Sequence, residues 1–171
     1  MGDNSMKTNK NSPTSDQFLA EVNKLAIKFN WPTRSFERGT ETVLVALIET
    51  DVTFERFVWV YDTERITLRC MLVGKVAIEI KRQTAFLELC ARVNEGLPFG
   101  CLEYSFIDRI FVFRDSADLD WGPLDKIIGG TTTRVLDLGQ KYASAIKDTL
   151  QGEKPEKAVE KSEKTSKPRQ S

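Results

Sequence analysis

The chain has 171 residues, of which 40% are hydrophobic and 29% charged. This is the composition of an ordinary globular protein and does not fit a disordered, collagen-like or membrane-spanning chain. Its 25 basic and 25 acidic side chains give a formal net charge of zero, whereas a dedicated nucleic-acid-binding domain normally has a basic excess. The sequence contains no histidine, so no imidazole of this chain acts as a general base, a proton shuttle or a metal ligand.

The two ends differ in composition from the middle. Residues 1–14 have only two methionines as apolar side chains, and they lack the apolar core of a secretory signal peptide. We expect them to form a disordered arm, and we expect residues 151–171 to form a disordered charged tail. Residues 15–150 then form the folded domain. This domain has a net charge of −3, which argues against binding of nucleic acid by the folded body.

A helix is predicted at the start of the domain. Phe18, Val22, Leu25 and Phe29 recur at helical spacing, Ser15 or Asp16 can cap the helix, and Pro32 ends it.

Three or four strands follow. Residues 43–48 are a continuous apolar run, 54–61 are aromatic and β-branched, and 66–72 alternate between apolar and polar side chains. The residues between 61 and 66 form a tight hairpin connection. Residues 76–80 alternate again after a bend at Gly74 and predict a further strand.

The rest of the domain is predicted as helix, two strands and helix. The second helix begins near Lys81 and ends at Gly96 in a left-handed conformation, and strands follow at 100–106 and 109–114. Asp118 or Asp120 caps a long final helix, with a kink or break expected at residues 129–130, where two glycines lie together. The fold class is therefore α+β, with an antiparallel sheet of about five strands and three helices in the order α-β-β-β-α-β-β-α.

The sequence predicts no metal ligand, cofactor or catalytic residue. Cys70, Cys90 and Cys101 lack the spacing of a metal site and lie at apolar positions of the pattern, so they behave as small hydrophobic residues. An odd number of unpaired thiols points to the reducing cytoplasm.

Two short motifs favour structural roles. The aspartates between residues 115 and 120 lack the glycine and glutamate of an EF-hand and are explained better as helix caps. The Gly-Gly-Thr-Thr-Thr run at 129–133 lacks the lysine of a phosphate-binding loop. Carboxylate-only chemistry by a pair such as Glu79 and Glu103 is left open, although no local spacing singles out that pair.

The third strand region is apolar on both faces. Phe57, Trp59 and Tyr61 share one face, and Phe54, Val58 and Val60 share the other. Helices of a chain this size cover one face, so a second copy or another protein is the natural cover of the second. The alternative is that the long final helix folds back across it. We take Phe57, Trp59 and Tyr61 as the candidate partner-binding residues.

The segment 87–114 has a pattern that resembles a known family. It contains L-x-x-C-A-R-V-N-E-G-L-P-F-G-C-L-E-Y, followed by a hairpin and I-F-V-F-R-D. With the upstream F-V-W-V and Tyr142 in the final helix, this is similar to the core of the YbjN family of bacterial proteins. Those proteins are described as sensory transduction regulators with the fold of type III secretion chaperones. The double glycine and the charged tail depart from the family pattern.

The resemblance implies the helix and strand order given above, frequent homodimers, and binding of other proteins rather than catalysis. It transfers no set of functional residues. We therefore expect a non-enzymatic, cytoplasmic protein-interaction module, a chaperone-like or regulatory adaptor. It would associate with itself and with one or more other proteins, not with a membrane. The alternative is a small-ligand-binding protein or a carboxylate-based enzyme with a cavity under the sheet.

Overall fold

The described strands form one antiparallel sheet in the order β1-β2-β3-β4-β6-β5. The computed structural model describes residues 12–48 and 53–165. The strands are β1 (Thr33–Arg38), β2 (Glu41–Leu47), β3 (Phe54–Asp62), β4 (Thr67–Gly74), β5 (Cys101–Tyr104) and β6 (Phe111–Asp118). The helices are α1 (Ser15–Lys28), α2 (Gln83–Glu95), α3 (Leu124–Gln151) and α4 (Pro155–Thr165). The α+β class is confirmed, with one more strand and one more helix than predicted.

The first helix is capped one residue earlier than expected. The Thr14 side chain accepts a hydrogen bond from the backbone N–H of Gln17, and the Gln17 side chain accepts one from the backbone N–H of Thr14. This capping box satisfies two backbone donors at once, which neither Ser15 nor Asp16 does. Phe18 and Val22 are fully buried and Leu25 packs against the core, whereas Phe29, just after the last turn, is 42% exposed. The predicted apolar stripe therefore faces the core up to Leu25.

The strands before α2 differ from those predicted. Strand β1 was missed because its sequence, T-R-S-F-E-R, has a single apolar residue and is exposed along an edge of the sheet. The strand predicted at 76–80 does not form. Ile78 is buried and donates a backbone hydrogen bond to the Arg109 carbonyl oxygen at 2.7 Å, while Val76 and Ile80 are exposed and a 3₁₀ turn begins at Ile80.

The connection from α2 to β5 is held by Asn94 and Gly100. The Asn94 side chain accepts a hydrogen bond from the Leu102 backbone N–H at 2.7 Å and donates one to the Leu102 carbonyl oxygen at 3.0 Å. A Cβ at Gly100 (φ +67°) would lie 2.9 Å from the Arg114 carbonyl oxygen. Asn94 therefore joins α2 to β5 rather than capping the helix. Helix α2 does end at Gly96, but with a φ of −99° and not in the left-handed region.

Helix α3 runs continuously from Leu124 to Gln151, so the helix does not break at Gly129 and Gly130. Thr131 and Thr132, which follow, are buried against the core, and tertiary packing of this kind outweighs a low helix propensity. The predicted capping residues, Asp118 and Asp120, do not cap α3, which begins only after Pro123. Asp118 instead accepts a hydrogen bond from the Asp120 backbone N–H in a 3₁₀ turn.

Helix α4 corrects the prediction of a disordered tail over residues 155–165. Pro155, Ala158, Val159 and Ser162 recur at helical spacing and are buried against α2 and α3. The Ser144 and Ser162 hydroxyls form a hydrogen bond at 2.8 Å. The composition does not indicate this helix, because a few small apolar side chains are enough to pack it against α2 and α3. Most of the predicted arm, residues 1–11, lies outside the described residues. None of the helices in the described part is long and apolar enough to cross a membrane.

Candidate functional site

The two faces of the sheet have different surroundings. Helices α1, α2 and α3 all pack on one side, which we call the helix face: Phe18 of α1 contacts Tyr61, Phe86 of α2 contacts Phe111, and α3 passes closely over Leu72 at Gly139. No described helix lies on the opposite side, which we call the open face. Helix α3, the long helix predicted to end the domain, therefore covers the same face as α1. The alternative, in which this helix crosses the other face, is wrong.

The candidate residues Phe57, Trp59 and Tyr61 lie on the helix face. Their exposed fractions are 0%, 0% and 1%. The Trp59 Nε1–H donates to the Thr132 hydroxyl at 2.8 Å, and the Tyr61 hydroxyl donates to the Pro13 carbonyl oxygen at 2.6 Å. The three residues do share one face, as predicted, but they belong to the core of the single chain. A docking surface has to be sought on the opposite face.

A β-bulge changes the assignment of Phe54. The pairing of β3 with β4 shifts between Phe54 and Arg56, and this extra residue rotates the Phe54 side chain to the other side of the strand. Phe54 consequently contacts the Phe111 and Phe113 rings, at centroid distances of 5.9 Å and 6.1 Å. It does not share a face with Val58 and Val60, as the sequence pattern alone suggested.

The strand registers arrange the open face in four rows that cross the sheet. Row 1 is Arg38, Glu41, Asp62, Thr67 and Asp118; row 2 is Phe36, Val43, Val60, Arg69 and Ser116; row 3 is Arg34, Val45, Val58, Met71, Arg114 and Cys101; row 4 is Leu47, Arg56, Val73, Val112 and Glu103.

The middle of the open face is apolar and borders solvent. Phe36 and Leu47 are 51% and 59% exposed, and Val45, Val58 and Met71 are half-buried. Val43 and Val60 are buried although no described helix crosses them. Contiguous apolar surface of this kind marks an interaction site more often than an ordinary surface.

The charges of the open face are mostly paired. Glu41 accepts hydrogen bonds from Arg38, at 2.5 Å, and from Arg69. The hydrogen bond from Arg38 and the positive charge of Arg69 hold the pKa of the Glu41 carboxyl below its ordinary value. Glu103 and Arg114 form a second ion pair at 2.7 Å. Arg34 forms no ion pair within the described part of the chain.

Two buried thiols and the two carboxylates considered for acid–base chemistry have surroundings that the structure describes. Burial raises the pKa of the Cys90 thiol to about 12 and also raises the pKa of the Cys70 thiol, so neither is a thiolate at neutral pH. Glu79 pairs with Lys81 at 2.7 Å, while Glu103 pairs with Arg114, so each carboxylate has a basic neighbour of its own. Across residues 12–48 and 53–165, no group of three or more cysteine, aspartate and glutamate side chains could hold a metal ion.

Two threonines of the Gly-Gly-Thr-Thr-Thr run at 129–133 accept hydrogen bonds from neighbouring side chains. Thr132 accepts the Trp59 hydrogen bond, and Thr131 accepts one from Arg134 at 3.2 Å. Arg134 also donates to the buried Asp115 carboxylate at 2.6 Å. Thr132 therefore satisfies a buried donor, and Thr131 accepts from the partly exposed Arg134 side chain. The sequence pattern does not reveal these roles.

Two cavities of the described part are lined by residues near the ends of helices and strands. The space between sheet and helices is filled by aromatic side chains such as Trp59, Phe113 and Tyr142. One cavity of about 710 Å³ is lined by Ile27, Phe29, Asn30, Trp31, Pro32 and Leu47. A smaller one of about 230 Å³ lies between α3 and the sheet end near Phe111. The smaller cavity lies between a helix and the sheet, and the ligand-binding alternative stays a prediction.

The chain matches no protein-family model, no curated protein and no solved structure. The structure agrees with the YbjN resemblance at the level of an α+β fold with a six-stranded antiparallel sheet, and the comparisons do not confirm the family.

Proposed function

We propose that this protein is a non-enzymatic interaction module of YbjN type, a chaperone-like or regulatory adaptor of the bacterial cytoplasm that acts as a homodimer. The observation that carries the proposal is the open face, whose apolar centre no described helix covers. The occupant we assign to this face is a second copy of the same chain. Further proteins would bind to the resulting dimer.

The size of the open face fits an interface between two copies. Six strands spaced about 4.8 Å apart, with roughly six residues each, span a face of about 600 Å². A standard stable interface buries about 800 Å² of accessible surface on each partner. Because accessible surface follows the side chains and exceeds the flat area, the open face is large enough by itself.

The charges of the open face fit a copy of itself. It carries both signs: the bases are Arg34, Arg38, Arg56, Arg69 and Arg114, and the acids are Glu41, Asp62, Glu103 and Asp118. A two-fold symmetric interface brings the same patch of both copies together, so it has to be self-complementary. A face with mixed charge meets this condition, whereas a face of one sign would repel its copy.

The proposal is tested by placing a charge at the centre of the open face. Met71 is half-buried in row 3 of the central strand β4, so Met71→Lys leaves the helix face intact and puts a cation into the interface. We expect its dissociation constant for dimerisation to rise by about tenfold or more, as for a central interface residue. Sedimentation equilibrium measures that constant, and circular dichroism checks the fold.

Ile80→Lys is the matched control, because Ile80 is 71% exposed in the turn before α2 and lies off the open face. We expect it to dimerise like the unchanged chain. If Met71→Lys kept its fold and dimerised as well as Ile80→Lys, the open face would not be the interface. If the unchanged chain stayed monomeric and only another protein bound to this face, the homodimer would be wrong.

A further inference from the structure

The smaller of the two cavities, between the C-terminal end of α3 and one end of the sheet, has apolar walls. They are formed by Val76, Phe111, Ile146 and Leu150 around a volume of about 230 Å³, and we call this space the α3 cavity. Hydrocarbon walls favour a ligand with an apolar body, since burial removes that body from water. At roughly 30 Å³ for a group the size of a water molecule, which is also about the size of a methylene, the α3 cavity accommodates a chain of about eight carbon atoms.

The floor of the α3 cavity belongs to the packed core. Phe111 is buried, and its ring contacts the rings of Phe86 and Phe54 at centroid distances of 5.3 Å and 5.9 Å. Gly74 leaves room for this ring, because a Cβ at that position would lie 2.6 Å from it. Ile146 is fully buried as well. The cavity is therefore formed before a ligand enters it, as ligand pockets usually are.

Two hydrogen-bond donors of the α3 cavity lie together on α3. Lys147 and Gln151 both line the cavity and are four positions apart on the helix, so their side chains are neighbours. Lys147 forms no ion pair within the described part of the chain, and no residue three or four positions from it on α3 is acidic. None of the described residues that line the cavity is acidic either. An ammonium group beside an amide fits an anion that has two acceptor oxygens.

We propose that the α3 cavity binds a linear aliphatic carboxylate of about eight carbon atoms, with its carboxylate beside Lys147 and Gln151. The two carboxylate oxygens accept hydrogen bonds from these donors, and the chain lies against the apolar walls. The cavity lies between α3 and the sheet, on the helix face, so this binding goes beyond the proposed self-association and does not depend on it.

The first arm of the experiment measures how the dissociation constant depends on chain length. The probes are the saturated carboxylates from butanoate to dodecanoate, titrated into the full chain and followed through its backbone amide resonances by NMR. Each added methylene lowers the dissociation constant by up to about fourfold while the chain still enters the cavity. The gain stops beyond about eight carbon atoms, when the cavity is full. The resonances that shift include those of Val76, Phe111 and Leu150.

The second arm compares octanoate, octanol and the octylammonium ion. The unchanged chain binds them with affinity falling in that order, because Lys147 attracts the anion and repels the cation. Lys147→Met keeps an apolar stem and removes the charge, so it weakens octanoate binding about threefold, as for an exposed ion pair, and leaves octanol binding nearly unchanged. Lys126→Met is the matched control, since it removes an exposed lysine at the other end of α3. It binds all three probes like the unchanged chain.

The site would be overturned if octanoate did not bind, or if the amide shifts occurred away from the α3 cavity. Affinity that rose at the same rate up to dodecanoate would overturn it as well, and so would an order of the three probes that Lys147→Met left unchanged. Met71→Lys separates this inference from the proposed function, because it weakens dimerisation and binds octanoate like the unchanged chain. A monomeric chain that bound octanoate would overturn the homodimer and leave the carboxylate site standing.

Discussion

The indole of Trp59 lies at the centre of the core and has a specific partner there. Its N–H donates to the Thr132 hydroxyl on α3, and Trp59 itself is fully buried. A buried donor without an acceptor costs free energy, so the hydroxyl of Thr132 matters although threonine is a poor helix former. Strand β3 and helix α3 are linked through this pair.

We expect Trp59→Ala to lower the free energy of unfolding by about 3–5 kcal/mol, the usual cost of emptying a large buried aromatic site. Thr132→Val keeps the shape but removes the acceptor, and we expect a loss of about 1–3 kcal/mol. Urea denaturation followed by circular dichroism measures both. If Trp59→Ala left the free energy of unfolding unchanged but weakened self-association, Trp59 would be a partner contact, as the sequence predicts, and not a core residue.

Glu41 makes the stability depend on pH in acid. Its pKa is lowered in the folded chain, first by the hydrogen bond from Arg38, so the folded state binds a proton less readily than the unfolded state. The stabilisation is present above the ordinary value of 4.5 and is lost as the pH falls through the lowered pKa. Glu41→Gln removes this contribution.

We therefore expect the melting temperature of the unchanged chain to fall more steeply below pH 4.5 than that of Glu41→Gln, and the two curves to differ most near neutral pH. Differential scanning calorimetry across this range measures the difference. Parallel curves for the two proteins would show that the contacts of Glu41 with Arg38 and Arg69 do not stabilise the fold.

At the scale of secondary structure, a clear apolar pattern predicted most elements, although the alternation at 76–80 forms no strand. Helices α1, α2 and α3 and strands β2, β3 and β4 each have such a pattern and lie within a few residues of the predicted positions. Strand β1 has one apolar residue and is held by its neighbour β2, while α4 uses small side chains that look like solvated tail. Strand β1 and helix α4 are stabilised by contacts with neighbouring elements, and these contacts cannot be read from the sequence pattern.

The docking of α4 can be tested with a single buried position. Ala158 is 1% exposed between α4 and the rest of the fold, so Ala158→Asp buries an unpaired carboxylate or detaches the helix. We expect it to lower the free energy of unfolding by about 2–4 kcal/mol, or to remove the hydrogen-exchange protection of α4.

Lys157→Asp is the matched control for this experiment, because Lys157 is exposed on the same helix. We expect a change within about 0.5 kcal/mol, as for a surface substitution. Equal stability and equal exchange protection in the Ala158→Asp and Lys157→Asp proteins would mean that α4 is not docked in solution.

At the scale of the whole molecule, the sequence predicted cover on both faces of the sheet, and the structure shows helices covering one of them. Alternation along β3 showed that Phe57, Trp59 and Tyr61 point the same way, but alternation does not say on which side the helices lie. That choice depends on how α1, α2 and α3 close over the sheet. The bulge before Arg56 then removed Phe54 from the other face, because one extra residue reverses the alternation.

The consequence is a molecule with one face closed by its own helices and one face that no described helix covers. The closed face holds the aromatic residues of β3. The open face holds valines, Phe36 and Met71 between paired charges, and its mixed charge suits a second copy. We expect the full chain to bury this face in solution by dimerising.

The most direct test is the molar mass of the full chain measured by light scattering across a dilution series. Our account predicts a mass of twice the 19.4 kDa of one chain, which falls towards the single-chain value as the protein is diluted. For Met71→Lys, this fall begins at a higher protein concentration than for the unchanged chain. A mass of one chain at every concentration would contradict it.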